Sequence, residues 1–261
     1  MPTLTLLAKA RNNYQLKLVD KLLRSSLEGL NIELKINGVT SRRWVQIAVS
    51  GEDEKIALNC LASEFGFCPT RLESVDRFST AKGLIVALDK NKGEIFVDIG
   101  VSSPDPIDAT VPLQCLQAQL VDGRKTALGK IAELFGFCKN LPLTVKVLRI
   151  DEEENKIEAM LAEKQLVQYR NWTRSLLDRL MILGATLQDV EWALKTAECN
   201  RDVINIEPLG MFEHAVVCKL GTDAAGLMPK IGGKLQQATF NIFNPRKIIE
   251  FLGDDSTLLT S

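Results

Sequence analysis

Residues Gly83 to Gly100 read GLIVALDKNKGEIFVDIG. Two apolar, β-branched runs flank Asp89-Lys90-Asn91-Lys92-Gly93, and the glycine closes the turn where a positive φ is needed, so the stretch reads as a strand pair. Working outward, ATVPL at 109–113 predicts a short third strand, and a helix ending in FGFC follows. LPLTVKVLRIDEEENKIEAML at 141–161 predicts a last hairpin with an acidic turn. Five short strands with one helix between the third and fourth is the plan of an OB barrel, here over residues 77–162.

Upstream, TLTLLAKA reads as a strand, and the next segment sets Leu16, Val19, Leu23, Leu27 and Leu30 on one helical stripe. NIELKI alternates, Asn37-Gly38 supplies a turn and WVQIAV continues as a strand. A second helix is expected to open at Ser50, with Glu52, Asp53 and Glu54 favoured by its dipole. RLESV at 71–75 reads as a closing strand. The order βαββαβ over residues 1–76 predicts a ferredoxin-like domain.

FGFC occurs twice, at 65–68 and 135–138, each time after an apolar-periodic helix. Glycine there suits a left-handed C-cap, the second phenylalanine can pack back on the last turn, and Pro69 or Pro142 blocks further helix. The repeat therefore reads as one local cap used twice, with no metal or disulfide role for Cys68 and Cys138.

Downstream, EKQLVQYRNWTRSLLDRLMILG reads as one amphipathic helix closed by Gly184. A second helix follows, capped by Thr186 with Asp189 three residues on. They make a helical hairpin over residues 163–200. Residues 201–261 predict an α+β domain, with strands near 203–208, 213–220 and 236–243 and a helix around 223–232. The tail GDDSTLLTS is expected to fray. The fold class expected is α+β multidomain.

With 261 residues, 46% hydrophobic and 25% charged, the chain can bury two or three cores without staples. No run is long enough for a signal peptide or membrane helix, so the expected location is the cytoplasm. Six cysteines without CxxC spacing and a single His214 predict reduced thiols and no metal site. Net charge is −1, which excludes a protein that coats nucleic acid indiscriminately. The basic charge is local, because residues 1–50 hold eight Lys/Arg against three Asp/Glu.

The barrel text GLIVALDKNKGEIFVDIG followed by VKVLRIDEEENKIEA resembles an S1-like RNA-binding domain. That resemblance implies that an aromatic of the second strand stacks on a base, and Phe96 occupies the matching place. It also implies contact roles for the acidic and basic residues of the last hairpin, which match Asp151 and Lys156. The order of barrel, helices and α+β domain is similar to the alpha subunit of archaeal and eukaryotic translation initiation factor 2, from which the ferredoxin-like prefix departs. The whole chain, CKLGTDAAGL included, resembles an uncharacterised family of archaeal proteins containing an S1-like domain.

These residues point to a non-enzymatic RNA-binding protein of the translation or RNA-processing machinery, with phosphates held by nearby cations while stacking tolerates any base. Candidate contacts on the barrel are Phe96, Lys90, Lys92, Arg77, Lys82, Asp151 and Lys156. Lys17, Lys21 and Arg24 share one face of the first helix, and Arg42 with Arg43 occupy a loop. The alternative is a protein–protein adaptor in ribosome or RNA polymerase assemblies, since OB folds serve both uses. Catalysis finds little footing. GTDAAGLMPKIGGKL lacks the order of a phosphate-binding loop, with Gly221 and Gly226 expected in a tight turn. His214 falls within an expected strand, and of the candidate acids Asp98, Asp105 and Asp108 the latter two flank Pro106 in an expected solvated loop. No cofactor, small-molecule partner or membrane partner is expected.

Overall fold

The structure is a computed structural model that describes residues 3–253, so the tail expected to fray lies outside the described residues from 254 onward. It is a mixed α+β molecule with eight α-helices and a five-strand barrel among the described residues.

The first unit runs β1 (Thr3–Lys9), α1 (Asn13–Ser26), β2 (Ile32–Val39), β3 (Trp44–Gly51) and α2 (Glu54–Glu64). Its sheet has the order β1-β3-β2, antiparallel throughout. Asn12 caps α1 by accepting the Gln15 N–H at 2.8 Å, and the helix buries Val19, Leu23 and Leu27 against the sheet. Three expectations are corrected here. Asn37-Gly38 is a register shift inside β2, and the hairpin turn lies at 40–43, where the Thr40 N–H donates to the Trp44 carbonyl at 2.8 Å and Arg43 takes φ 72°. Ser50 belongs to β3, while Glu52 and Asp53 accept bonds from Asn31 before α2 begins. RLESV forms no strand; Leu72–Ser74 is a 3-10 turn. The fourth edge of a ferredoxin-like sheet is reduced to Phe67 bridged to Leu6, because Pro69 has no N–H to continue a ladder.

The barrel closes in the order β4 (Thr80–Asp89), β5 (Glu94–Asp98), β6 (Ala109–Pro112), β8 (Lys156–Leu161), β7 (Pro142–Asp151), with β6 and β8 parallel and the other pairs antiparallel. This is the strand plan expected, but two helices, α3 (Leu113–Leu120) and α4 (Leu128–Phe135), separate β6 from β7 instead of one. In the β4–β5 turn the Asp89 carboxylate accepts the Asn91 and Lys92 N–H groups, and Gly93 takes φ 69°.

The largest correction concerns residues 163–200. Helix α5 (Glu163–Arg174) stops at Ser175, whose hydroxyl turns back to the Trp172 carbonyl, and Leu176 takes φ 55°. The chain then forms β9 (Arg179–Leu183), and only then α6 (Leu187–Thr196), with the expected Thr186/Asp189 capping box. No helical hairpin exists. β9 is an inner strand of a sheet ordered β10-β11-β9-β12, completed by β10 (Val203–Pro208), β11 (Glu213–Cys218) and β12 (Thr239–Phe243). Helices α7 (Ala224–Gly232) and α8 (Pro245–Leu252) finish the unit. Gly226 lies within α7, so Gly221 alone, at φ 89°, serves the turn.

Both FGFC segments are helix ends with left-handed glycines, Gly66 at φ 74° and Gly136 at φ 69°. Each also sits at a seam between units. Cys68 packs with Trp44 and Leu84 between the first sheet and the barrel. Phe135 and Phe137 join Tyr169, Trp172 and Phe243 in an aromatic cluster between barrel and C-terminal sheet, and Asn241 donates to the Gly136 carbonyl at 2.8 Å.

Candidate nucleic-acid interface

Strand β5 places the site. Its alternation buries Ile95 and Val97 completely in the barrel, so Phe96 and Asp98 share the outer face. Phe96 is half-buried there, paired across the ladder with Ala87 of β4 and Thr110 of β6. One end of β5 emerges from the turn that carries Lys90 and Lys92, both exposed and without an ion pair to the described residues. The other end meets the first unit. Asp98, fully buried, accepts from the Trp44 indole N–H at 3.0 Å, the Lys9 ammonium at 2.5 Å and the Gly100 N–H at 2.9 Å. Arg42 lies 3.9 Å from Asp98 and is bonded to Asp108, whose carboxyl is pushed above the usual range by burial and drawn back by that guanidinium.

The 40–43 turn is thereby docked against the barrel, with Arg43 exposed beside Arg42. Arg42 itself is committed to the seam and is not a free cation, which corrects its expected role as a loop contact. The parallel register Ala109 to Ile157 sets Lys156, exposed, beside the start of β6 at this same end. Asp151 shapes the adjoining turn by accepting the Glu154 N–H at 3.1 Å and pairing with Arg149. Phe96 thus lies on β5 between the turn that carries the exposed Lys90 and Lys92 and the seam end of the strand, where Arg43 and Lys156 are exposed and Lys156 is paired in the ladder with Asp151 of the acidic 151–154 turn.

The remaining predicted contacts lie elsewhere. Arg77 donates to the Leu148 carbonyl at 2.9 Å on the β7 side, its guanidinium 4.6 Å from the exposed ring of Phe78. Phe78, unread in the sequence, reaches Lys146 as well; its only signal was an aromatic beside an arginine ahead of the first barrel strand. Lys82 lines a cleft with Thr144 and Lys164 between barrel and α5, where burial pushes its ammonium below the usual range and the nearby Lys164 charge adds to the shift. Lys17 and Lys21 stand exposed on α1, and Arg24 is bonded to Asp20 at 3.0 Å.

His214 is buried in β11 with its imidazole lowered by burial. Among the described residues, no group of three or more His, Cys, Asp or Glu side chains could hold a metal ion, and no helix is long and apolar enough to cross a membrane.

Residues 6–71 match the DUF2110 N-terminal domain, residues 76–173 the DUF2110 central domain and residues 177–243 the DUF2110 C-terminal domain, in that order along the chain. The chain belongs to the DUF2110 family. The central DUF2110 domain takes in the barrel together with α5, and the C-terminal one opens just before β9, as the sheet topology requires. No curated protein matches this DUF2110 chain. Similar solved structures include the uncharacterized protein MJ1198 of Methanocaldococcus jannaschii, at 10% identity over 34% of this chain and 95% of that one, with a TM-score of 0.24. GSP13 of Bacillus subtilis is 19% identical over 35% of this chain and 58% of its own, with a TM-score of 0.26. The intact alpha subunit of aIF2 from Pyrococcus abyssi is 8% identical over 65% and 96%, with a TM-score of 0.25. Likeness of this degree carries no functional weight for the DUF2110 chain.

Proposed function

We propose that the barrel binds single-stranded RNA on the outer face of β5, by stacking and phosphate contacts and without catalysis, in the translation or RNA-processing machinery. One observation carries this reading: Phe96 is partly exposed on the outer face of β5, the strand that leaves the turn holding the exposed Lys90 and Lys92. An aromatic with cations close along the strand is an arrangement that holds a base while phosphates run past it. The S1-like resemblance of the β4–β5 and β7–β8 hairpins supports the same reading, while ribosomal or transcription-machinery proteins are the partners of the adaptor alternative. Fluorescence anisotropy with labelled oligoribonucleotides at several salt concentrations, wild type beside Phe96→Ala, tests it. Absence of binding at low salt would reject it and favour the adaptor role.

A further inference from the structure

Three tryptophans are present, and two of them, Trp44 and Trp172, are buried at domain seams. The third, Trp192 on α6, is 56% exposed, and Tyr14 on α1 is 61% exposed. In a chain with 6% aromatic residues, two such rings left in water ask for a ligand. They are brought together, for both line one groove of about 530 Å³ where the first and C-terminal units meet, a volume in the range of small-ligand sites.

The groove walls are polar. The amides of Gln236 and Gln237 line it beside that of Asn12, which is committed to Gln15 and Gln237, and the Lys234 ammonium sits 6.0 Å from the Trp192 ring centroid. Its shape is fixed across the seam by the Asn12 to Gln237 bond at 3.2 Å and the Gln15 to Gly184 carbonyl bond at 3.0 Å. Its one acid, Asp189, is taken up by the Thr186 cap at 2.6 Å. Leaving the groove along α1, Lys17 and Lys21 follow Tyr14 at three and seven residues, on one exposed helix face. Flat rings for stacking, amides for base edges and a line of cations for phosphates are the complement of an unpaired nucleic-acid strand rather than of an apolar peptide.

We infer that this groove is a second RNA site, holding an unpaired stretch with one base on Trp192 and its phosphates on Lys234, Lys17 and Lys21. It shares its ligand class with the barrel site and none of its residues. Because the other two indoles are buried, a base stacking from solution can quench only Trp192 by contact, over the emission of Trp44 and Trp172. Titration with octauridylate at low salt should quench it, and the quench should survive in a Phe96→Ala, Lys90→Ala, Lys92→Ala variant, whose barrel face is disabled.

In that background, Trp192→Phe should keep the affinity, followed by anisotropy, while losing the signal. Trp192→Ala should weaken binding roughly tenfold or more, as expected for one lost stack. Lys17→Ala with Lys21→Ala should reduce the salt slope by about 0.7 for each contact. The inference is overturned if octauridylate leaves the fluorescence unchanged, if uridine monophosphate quenches at the same concentration, or if Trp192→Ala binds as before. Loss of all quenching in the barrel variant would overturn the groove and leave the barrel site standing.

Discussion

Phe96 can be removed without opening the barrel core, because its neighbours Ile95 and Val97 carry the inward face. Phe96→Ala should therefore weaken single-stranded RNA binding by about 1–3 kcal/mol, a loss that persists at raised salt, with little change in melting temperature. Lys90→Ala with Lys92→Ala should instead flatten the salt dependence, by about 0.7 in log–log slope per phosphate contact. Anisotropy at several salt concentrations, beside melting curves, separates the two. Glu213 makes a different prediction. It is 7% exposed at the start of β11, and burial raises its carboxyl to about 7, against the Phe212 N–H bond and the Arg11, Lys82 and Lys9 charges that pull it down. A carboxyl raised on folding contributes stability that is fully present below its unfolded value, and that contribution is lost as pH rises through the folded one. Wild type should thus weaken between about pH 4.5 and 7, by roughly 3 kcal/mol at most. Glu213→Gln, which keeps an acceptor for Phe212, should lack this loss and be the more stable protein at pH 8. Equal urea midpoints for the two proteins at both pH 5 and pH 8 would refute the assignment.

The repeated FGFC caps differ in what surrounds them, and that sets the scale of an element's tolerance. A methyl group on Gly66 would meet only the end of the flexible Leu7 side chain, whereas on Gly136 it would meet the Met181 methyl and, at 3.2 Å, the Ile242 carbonyl across the seam. Both glycines have positive φ, worth about 1 kcal/mol to an alanine. Gly136→Ala should add roughly 1–3 kcal/mol of overpacking to that, so urea unfolding should rank it well below Gly66→Ala. Cys68→Ser and Cys138→Ser should leave RNA binding intact. The caps and the barrel hairpins were legible in the sequence because their grammar is local: a glycine where φ turns positive and alternation on either side. β9 was not. Leu180, Met181, Ile182 and Leu183 are buried on both faces, and a short run apolar on all sides has no period that tells strand from helix. It also continues directly from an amphipathic helix, so only its pairing with β11 and β12 defines it. The missing fourth strand of the first unit has another cause: β1 keeps an edge on which Phe67 bridges Leu6, but Pro69 has no N–H to extend that ladder into RLESV.

Across the whole molecule, the seam at Asp98 decides whether the candidate site exists as a unit. Phe96 and Asp98 are two residues apart on one face of β5, about 7 Å along the strand, so whatever docks on Asp98 borders the stacking ring. Sequence alone read Asp98 only as one of three candidate acids and Arg42 as a loop cation, because their partners lie 54 and 66 residues away, at Trp44 and Asp108. Asp98→Ala would strand the Lys9 ammonium, whose side chain is 14% exposed, and the buried Trp44 N–H. Breaking such a buried pair costs about 3–5 kcal/mol. Asp98→Asn keeps an acceptor for Trp44 and Gly100, loses the charge opposite Lys9 and should fall between. Because the loss falls on contacts between units and leaves each core intact, calorimetry is expected to show one transition for wild type and two for Asp98→Ala, with the first unit melting at the lower temperature. RNA binding should change in kind as well. With the Lys9 and Trp44 contacts to β5 lost and only Arg42–Asp108 left to hold the 40–43 turn, Asp98→Ala should loosen that turn and reduce the salt slope while the stack on Phe96 remains. A variant that melts in one transition within about 1 kcal/mol of wild type, and binds RNA with an unchanged salt slope, would mean that the first unit and the barrel meet without acting together.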